Sequence, residues 1–179
     1  QTDFIYIPVE QAKSSVTLYS YLKKCDLVTL HGWLKIIPED ICNALEIYNG
    51  HPGDILQYPE LKGFNPQEKA HRLGLATSGS VVHKVTAKVD DGPIKYRVIT
   101  SIKDCDLETV YNRLRYTSLL SWKLFFTRKL ASQNKYAITG AHCTGKTTLV
   151  EAIKSLDSKN KYEYITSMTR EAKQLGYKI

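Results

Sequence analysis

Short apolar runs of strand length alternate with helical segments over residues 26–49, and this alternation restricts the fold more than any other feature. Residues 26–31 (DLVTLH) are rich in β-forming side chains. Residues 38–45 begin with Pro38 and two acidic residues, which is typical of a helix start. Residues 46–49 form the next short strand. Strands joined through helices run parallel in one sheet, so the sequence predicts an α/β protein with a doubly wound, mostly parallel sheet.

The following region extends this sheet in a different way. Residues 79–89 alternate between apolar and polar side chains, which predicts a half-exposed strand. The Asp-Asp-Gly-Pro turn at 90–93 leads into a return strand at 94–102, so an antiparallel extension is expected. A long C-terminal helix is predicted for residues 107–130, with its buried face supplied by Leu107, Val110, Leu114, Leu120, Leu124 and Phe125.

Polar residues follow the predicted strands at positions where a ligand can bind. Ligands of open parallel sheets bind outside the carboxyl ends of the strands, so segments 32–37 and 49–54 should converge on one crevice. Asn49 and His51 should point to the same side of an extended segment. An amide and an imidazolium can stabilise the oxyanion of an acyl transfer, and a carboxylate can orient the imidazole and help to take the proton of an attacking amine. Asp90 is the candidate carboxylate.

Each of these residues also has a simpler interpretation. Asn-Gly-His-Pro and Asp-Asp-Gly-Pro are both typical turn sequences when considered separately. His83, within the alternating strand, is interpreted as a packed or solvated residue. The combination of Asn49, His51 and Asp90 is nevertheless interpreted as a catalytic set.

Several motifs occur in order around this set: GWLKIIP at 32–38, Asn-x-His-Pro from Asn49, YPELKG at 58–63, SVVHKV at 80–85 and VDDGPI at 89–94. Over about residues 4–132 they resemble the formyltransferase family, and most of all its glycinamide ribonucleotide branch. The resemblance implies 10-formyltetrahydrofolate as the formyl donor and Asn49, His51 and Asp90 as the catalytic residues. It implies as acceptor a phosphorylated amine, glycinamide ribonucleotide or a related nucleotide or sugar amine. It further implies that the donor is bound by Leu34, Lys35, Ile36, Ile37, Val85, Thr86 and Val89.

The sequence departs from the family pattern in places. The family begins with a strand, a glycine-rich turn and a helix that hold the acceptor's phosphate, and no such segment precedes Phe4. Lys35 stands where the family usually has Arg, and Gly50 and Gly53 replace an aliphatic residue and a Ser. We therefore assign residues 1–133 to a formyltransferase-like domain that lacks this first unit, and we expect a further stretch upstream of Gln1.

A second motif lies near the C-terminus. Residues 136–139 predict a strand, residues 140–147 read G-x-x-x-x-G-K-T, and residues 148–154 predict a helix, which is the arrangement of a phosphate-binding loop. Mg-ATP is its expected ligand, and Thr147 would bind the Mg²⁺. Residues 134–179 resemble the start of phage-type P-loop kinases and ATPases. The predicted nucleotide-binding residues are Gly140, Thr144, Gly145, Lys146, Thr147 and Thr148.

Charge and cysteine content narrow the class of protein. The net charge of +7 suits an anionic partner such as a phosphorylated metabolite, a polyglutamylated cofactor or a nucleic acid, and it does not choose among them. The four cysteines form no C-x-x-C pair, which fits a reduced, cytoplasmic protein. The sequence contains no apolar span long enough to predict a membrane helix. It also contains no basic stripe with interleaved aromatic residues, which would predict a nucleic-acid interface. Three functions stay open. They are folate-dependent formyl transfer, P-loop phosphoryl transfer to a nucleotide or DNA base with an accessory formyltransferase-like module, and folate binding without turnover.

Overall fold

The computed structural model describes residues 15–33, 35–129 and 136–140, together with 148, 149, 151 and 155. Its helices are α1 (Ser15–Leu22), α2 (Glu39–Ala44), α3 (Pro66–Arg72) and α4 (Leu107–Lys129), with a 3-10 turn at Pro59–Leu61. Its strands are β1 (Leu27–His31), β2 (Ile47–His51), β3 (Thr77–Lys84), β4 (Ile94–Ser101) and β5 (Tyr136–Gly140).

The strands form one mixed sheet in the order β4-β3-β2-β1-β5. β1 is parallel to β2 and to β5, whereas β3 is antiparallel to β2 and to β4. The predicted α/β fold with an antiparallel extension is therefore confirmed. The sheet is mixed and not mostly parallel, because two of its four described strand pairings are antiparallel. Because β1 and β2 are parallel, their carboxyl ends lie at the same edge of the sheet, where the chain carries His31 and His51.

Helices cover both faces of the parallel part. β1 is buried along its whole length. Val28 and Leu30 pack in one cluster with residues of α1 and α2, whereas Leu27 packs in another cluster with residues of α4. Alternate residues of a strand point to opposite faces, so β1 lies between two helical layers. Full burial of each such aliphatic side chain contributes about 1.5–3 kcal/mol to folding.

β3 is also buried on both faces, so the prediction of a half-exposed strand is wrong. Val82 lies in the cluster beneath α4, and Val81 lies in a different cluster with Leu61. The alternating sequence is misleading because its polar members are buried too. The hydroxyl of Ser80 is fully buried and donates a hydrogen bond to a carbonyl oxygen of α4 at 3.0 Å. A hydroxyl that is satisfied in this way can occupy a core position.

The predicted long helix is confirmed as α4, but its buried face is only partly as expected. Trp122 and Phe126 are buried in one cluster with Leu27 and Tyr48, and their ring centroids lie 5.5 Å apart. Stacked aromatic rings therefore fill the space beneath β1 and β2. No helix in the described part of the chain is long and apolar enough to cross a membrane. Of the predicted positions, Val110, Leu114 and Phe125 are buried, Leu120 is half-buried, and Leu107 and Leu124 are exposed.

Gly50 allows α4 to approach β2 closely. A Cβ atom at this position would lie 2.3 Å from Nε1 of Trp122, far closer than real Cβ contacts. The indole therefore occupies the space in which an aliphatic side chain would stand. This packing explains why the residue between Asn49 and His51 is a glycine here.

β5 belongs to the same sheet as the preceding residues, because it is hydrogen-bonded to β1 over its whole length. The sequence analysis places this strand in a predicted second domain, residues 134–179. The predicted boundary at residues 133 and 134 lies outside the described residues and stays a prediction.

Candidate active site

Asn49 and His51 lie on β2 where this strand approaches the carboxyl edge of the sheet. The register pairs Asn49 with His83 and His51 with Val81 of β3. Paired residues on neighbouring strands, and alternate residues along one strand, point to the same face. Asn49, His51 and His83 therefore share one face, which confirms the predicted orientation of the first two.

Asp90 reaches this face from the turn that follows β3. Its φ of 48° is left-handed, a conformation that Asp tolerates better than most residues. Its Oδ2 atom lies 3.1 Å from Nδ1 of His51 and accepts the backbone N–H of Gly63 at 2.9 Å. Its Oδ1 atom lies 3.3 Å from Nε2 of His83 and 3.5 Å from Nδ2 of Asn49. The residues that the sequence singled out thus meet around one carboxylate.

The surroundings of Asp90 favour its ionised form. Burial alone would raise the pKa of the carboxyl, but hydrogen bonds from His51 and His83, the charge of His51 and the N–H of Gly63 outweigh burial. The pKa of Asp90 therefore lies well below its usual range. Asp90 therefore carries a negative charge beside His51. Its predicted role in helping to take a proton from the amine stays a prediction.

Both ring nitrogens of His51 face hydrogen-bond acceptors. Nδ1 faces the ionised Asp90, and Nε2 lies 2.8 Å from the carbonyl oxygen of Leu61. A carbonyl oxygen and a carboxylate only accept, so both nitrogens must carry a hydrogen for the two contacts to be satisfied. Asp90 and Leu61 therefore fix the orientation of the His51 ring from both sides, and only 5% of the residue is exposed.

His83 is a polar neighbour of the site that the sequence interpretation missed. Its Nδ1 atom lies 2.9 Å from the carbonyl oxygen of Lys84, so this nitrogen donates. Its Nε2 atom lies 3.4 Å from Nδ2 of Asn49. The alternation of residues 79–89 placed His83 and Val81 on one side of the strand, but only the register shows that this side faces Asn49.

The residues implied to bind the formyl donor divide into a buried and an exposed group. Ile37 and Val85 are buried in one apolar cluster, which brings their two segments together. Ile36 is 67% exposed and Val89 is 53% exposed. Leu34 lies outside the described residues, Lys35 is exposed, and half-buried Thr86 donates its hydroxyl hydrogen to the carbonyl oxygen of Lys88 at 3.1 Å.

The exposed members of this set, and one residue near Ile36 in sequence, carry groups that a ligand could contact. Ile36 and Val89 present apolar side chains that a ring could cover. Three residues before Ile36 in sequence, Nε1 of Trp33 is buried and has no hydrogen-bond partner. An unsatisfied buried N–H costs about 1–3 kcal/mol, so an acceptor atom nearby would be favourable. The described part of the chain contains no cluster of His, Cys, Asp and Glu side chains that could hold a metal ion.

The predicted phosphate-binding motif begins at the same edge of the sheet. Gly140 ends β5 and pairs with His31, which lies one residue beyond the level of Asn49 on β2. Thr148 is exposed and helical. The intervening candidates lie outside the described residues, so their roles in nucleotide and Mg²⁺ binding stay predictions: Thr144, Gly145, Lys146 and Thr147.

The fold and the site together define an α/β protein in which an amide, an imidazole and a buried carboxylate converge at one end of a mixed sheet. Comparison with known families agrees with the resemblance drawn from the motifs. Residues 6–119 match the family described as Formyl transferase. This match covers more than half of the chain, and the chain belongs to that family. The match ends before residue 134, and the resemblance of the last segment to P-loop kinases stays a prediction.

The relatives that are similar to this chain are named for different activities. The chain is similar to formyltetrahydrofolate deformylase of Synechocystis sp., with 36% identity over 70 residues, covering 38% of this chain and 24% of that protein. It is 30% identical to methionyl-tRNA formyltransferase of Wigglesworthia glossinidia brevipalpis over 110 residues, covering 59% of this chain and 34% of that protein. The chain therefore spans no more than about a third of these curated relatives.

Solved structures show the same likeness. Phosphoribosylglycinamide formyltransferase of Streptococcus pneumoniae superposes with a TM-score of 0.57 at 26% identity, covering 68% of each chain. Glycinamide ribonucleotide transformylase 1 of Symbiobacterium toebii gives a TM-score of 0.51 at 27% identity, covering 58% of this chain and 50% of that one.

Proposed function

We propose that this chain transfers a formyl group from 10-formyltetrahydrofolate to a primary amine. The observation that supports this most strongly is the convergence of Asn49 and His51 on the Asp90 carboxylate. The acceptor proposed is glycinamide ribonucleotide or a related nucleotide or sugar amine. The likeness to phosphoribosylglycinamide formyltransferases at 26–28% identity supports this choice.

The chain's own residues can stabilise the charge that develops during transfer. Attack of the amine nitrogen on the formyl carbon forms a C–N bond and turns the carbonyl oxygen into an oxyanion. The amide of Asn49 can donate to this oxygen, and the charge of His51 lies beside it. Loss of one such donor slows acyl transfer by about 10²–10³. The bond between the formyl carbon and the folate nitrogen then breaks. Over the whole reaction the acceptor nitrogen loses one proton and the folate nitrogen gains one.

Asp90 has a supporting role in this scheme. Its carboxylate faces Nδ1 of His51 at 3.1 Å and orients the ring. The backbone N–H of Gly63 and the amide of Asn49 hold the carboxylate in turn. The site is therefore organised before any substrate binds, which is what electrostatic stabilisation of a transition state requires.

Water is a second candidate acceptor. The 36% identity to a formyltetrahydrofolate deformylase favours it. The same donors would stabilise the same kind of oxyanion, and only the attacking group would differ. Hydrolysis releases formate, whereas transfer to an amine gives a formylated amine, so the products separate the two reactions.

The predicted phosphate-binding motif suits a phosphorylated acceptor at this site. β5 adjoins β1, so the motif begins two strands from β2. Neighbouring strands lie about 4.8 Å apart, which separates Gly140 from Gly50 by roughly 10 Å. In this proposal Lys146 binds the acceptor's phosphate. In the alternative, P-loop phosphoryl transfer, Lys146 binds Mg-ATP.

The test is transfer of a labelled formyl group from 10-formyltetrahydrofolate to a panel of acceptors. The panel contains glycinamide ribonucleotide, an amino-sugar nucleotide, methionyl-tRNA and water alone. We expect label on glycinamide ribonucleotide or the sugar amine, and we expect Lys146→Ala to raise the KM for that acceptor only. Label in formate alone would establish hydrolysis. Binding of the folate without any labelled product would contradict both reactions and indicate a non-catalytic folate-binding module.

A further inference from the structure

A bidentate ion pair between Arg97 and Asp54 lies beside the site. Nε of Arg97 donates to Oδ1 of Asp54 at 2.7 Å, and Nη2 donates to Oδ2 at 2.6 Å. The Asp54 side chain is completely buried, and 28% of the Arg97 side chain is exposed. Two parallel charge-assisted hydrogen bonds fix direction as well as distance. The hydrogen bonds to Asp54 raise the pKa of Arg97 further, so its guanidinium stays charged.

The position of Arg97 follows from the sheet register. His51 pairs with Val81, and Val81 pairs with Arg97 on β4. Arg97 therefore shares a face with His51 and stands two strands away, at a backbone separation of roughly 10 Å. Asp54 lies just beyond the end of β2. The ion pair thus connects β4 with the chain that leaves the candidate site.

The chain leaves the site as the 52–63 loop, and this loop contacts both His51 and Asp90. The carbonyl oxygen of Leu61 accepts from Nε2 of His51 at 2.8 Å, and the N–H of Gly63 donates to Asp90 at 2.9 Å. The loop also packs directly on the imidazole, because a Cβ atom at Gly53 would lie 3.0 Å from Nε2. A shift of this loop would therefore move the ring and the carboxylate together.

Arg97 fixes the 52–63 loop at two points. Besides its bonds to Asp54, Nη2 donates to Oε1 of Gln57 at 3.0 Å. A buried carboxylate without a partner is strongly unfavourable, so the loop is held in the position in which Asp54 meets the guanidinium. A lysine could supply the charge but not the planar pair of donors.

We propose that Arg97 and Asp54 are positioning residues of the site: their ion pair holds the 52–63 loop so that Leu61 fixes the ring of His51 and Gly63 fixes Asp90. The kinetic part of this inference rests on the proposed formyl transfer. The part that concerns the His51 ring does not, because ring protonation and geometry can be measured without substrates.

The experiment compares Arg97→Gln with Arg113→Gln, a matched control whose guanidinium donates to the backbone oxygen of Ser101 at 2.6 Å on the exposed side of α4. ¹⁵N NMR of the full chain reports the protonation of the His51 ring against pH, and steady-state kinetics give kcat and the KM for each substrate. For Arg97→Gln we expect altered ring signals and a kcat lower by about tenfold to a hundredfold, with little change in the KM for the donor. Arg113→Gln should match the wild type in both readouts.

Arg97→Gln leaves Asp54 buried and unpaired, so folding is checked by circular dichroism and a second variant is included. Asp54→Asn with Arg97→Gln removes both charges, and we expect it to fold but to keep the altered ring signals. Arg97→Lys should recover part of kcat. A folded double variant with wild-type ring signals would overturn the proposal, even if the wild type transfers no formyl group. Wild-type kcat in that variant would overturn it equally.

Discussion

The Nδ1 atom of His51 lies 3.1 Å from the Oδ2 atom of Asp90, and this contact joins β2 to the turn beyond β3. The two side chains are only 6% and 10% exposed, so solvent and salt screen their attraction weakly. Asn49, His83 and the N–H of Gly63 surround the same carboxylate. The site is thus a preformed pair of an imidazole and a carboxylate with polar groups arranged around it.

Removal of the Asp90 charge should disable the site without changing the fold. In Asp90→Asn the ring of His51 loses the negatively charged partner that orients it. We expect kcat for formyl transfer to fall by about 10²–10⁴. The measurement is the steady-state rate with saturating donor and acceptor.

Asp91→Asn is the matched control for this change. Asp91 is the exposed neighbour and pairs with Lys62 at the surface. We expect it to retain the wild-type rate. Equal losses in the two variants would show that the turn, and not the Asp90 charge, matters.

The low pKa of Asp90 predicts a stability difference that depends on pH. Because the pKa is lower in the folded chain than the value of about 3.9 in the unfolded chain, the carboxylate stabilises the fold above that value. The stabilisation is lost as the pH falls below it. We expect urea unfolding between pH 5 and pH 3 to show a gap between wild type and Asp90→Asn that narrows toward pH 3, and a gap independent of pH would contradict the assignment.

Gly50 should be required by the packing of Trp122. Gly50→Ala places a Cβ atom against the indole, and overpacking of this kind costs about 1–3 kcal/mol of folding free energy. Combined with Trp122→Leu, the same change should cost less than the sum of the two single changes, because the smaller side chain makes room. Chemical denaturation measures all of these variants. Strictly additive losses would show that the two residues do not compete for the space.

The exposed apolar residues of the donor segments should affect donor binding alone. We expect Ile36→Ser and Val89→Ser each to raise the KM for the folate donor by about tenfold, since burial of such a side chain by a ligand is worth about 1.5 kcal/mol or more. Leu124→Ser is the control, because Leu124 is 49% exposed on α4. An unchanged KM for the donor in both variants would place the folate elsewhere.

Sequence periodicity was sufficient to predict the orientation of side chains that lie on one strand. Asn49 and His51 share a face because an extended chain repeats every second residue. The motifs around Asp90 led to the family that the comparison confirms. Contacts between strands could not be derived in the same way. These contacts depend on register and strand order, which no local pattern encodes. Examples are the position of His83 opposite Asn49, the shared face of Arg97 and His51, and the place of β5 beside β1.

The most direct measurement is the transfer of labelled formyl from 10-formyltetrahydrofolate to glycinamide ribonucleotide by wild type and by His51→Asn, with each enzyme shown to bind the donor. We predict transfer by the wild type and a rate at least about a hundredfold lower in His51→Asn. Equal rates in the two proteins, or no transfer to any amine by a wild type that binds both substrates, would contradict the central claim that His51 and Asp90 form a formyl-transfer site.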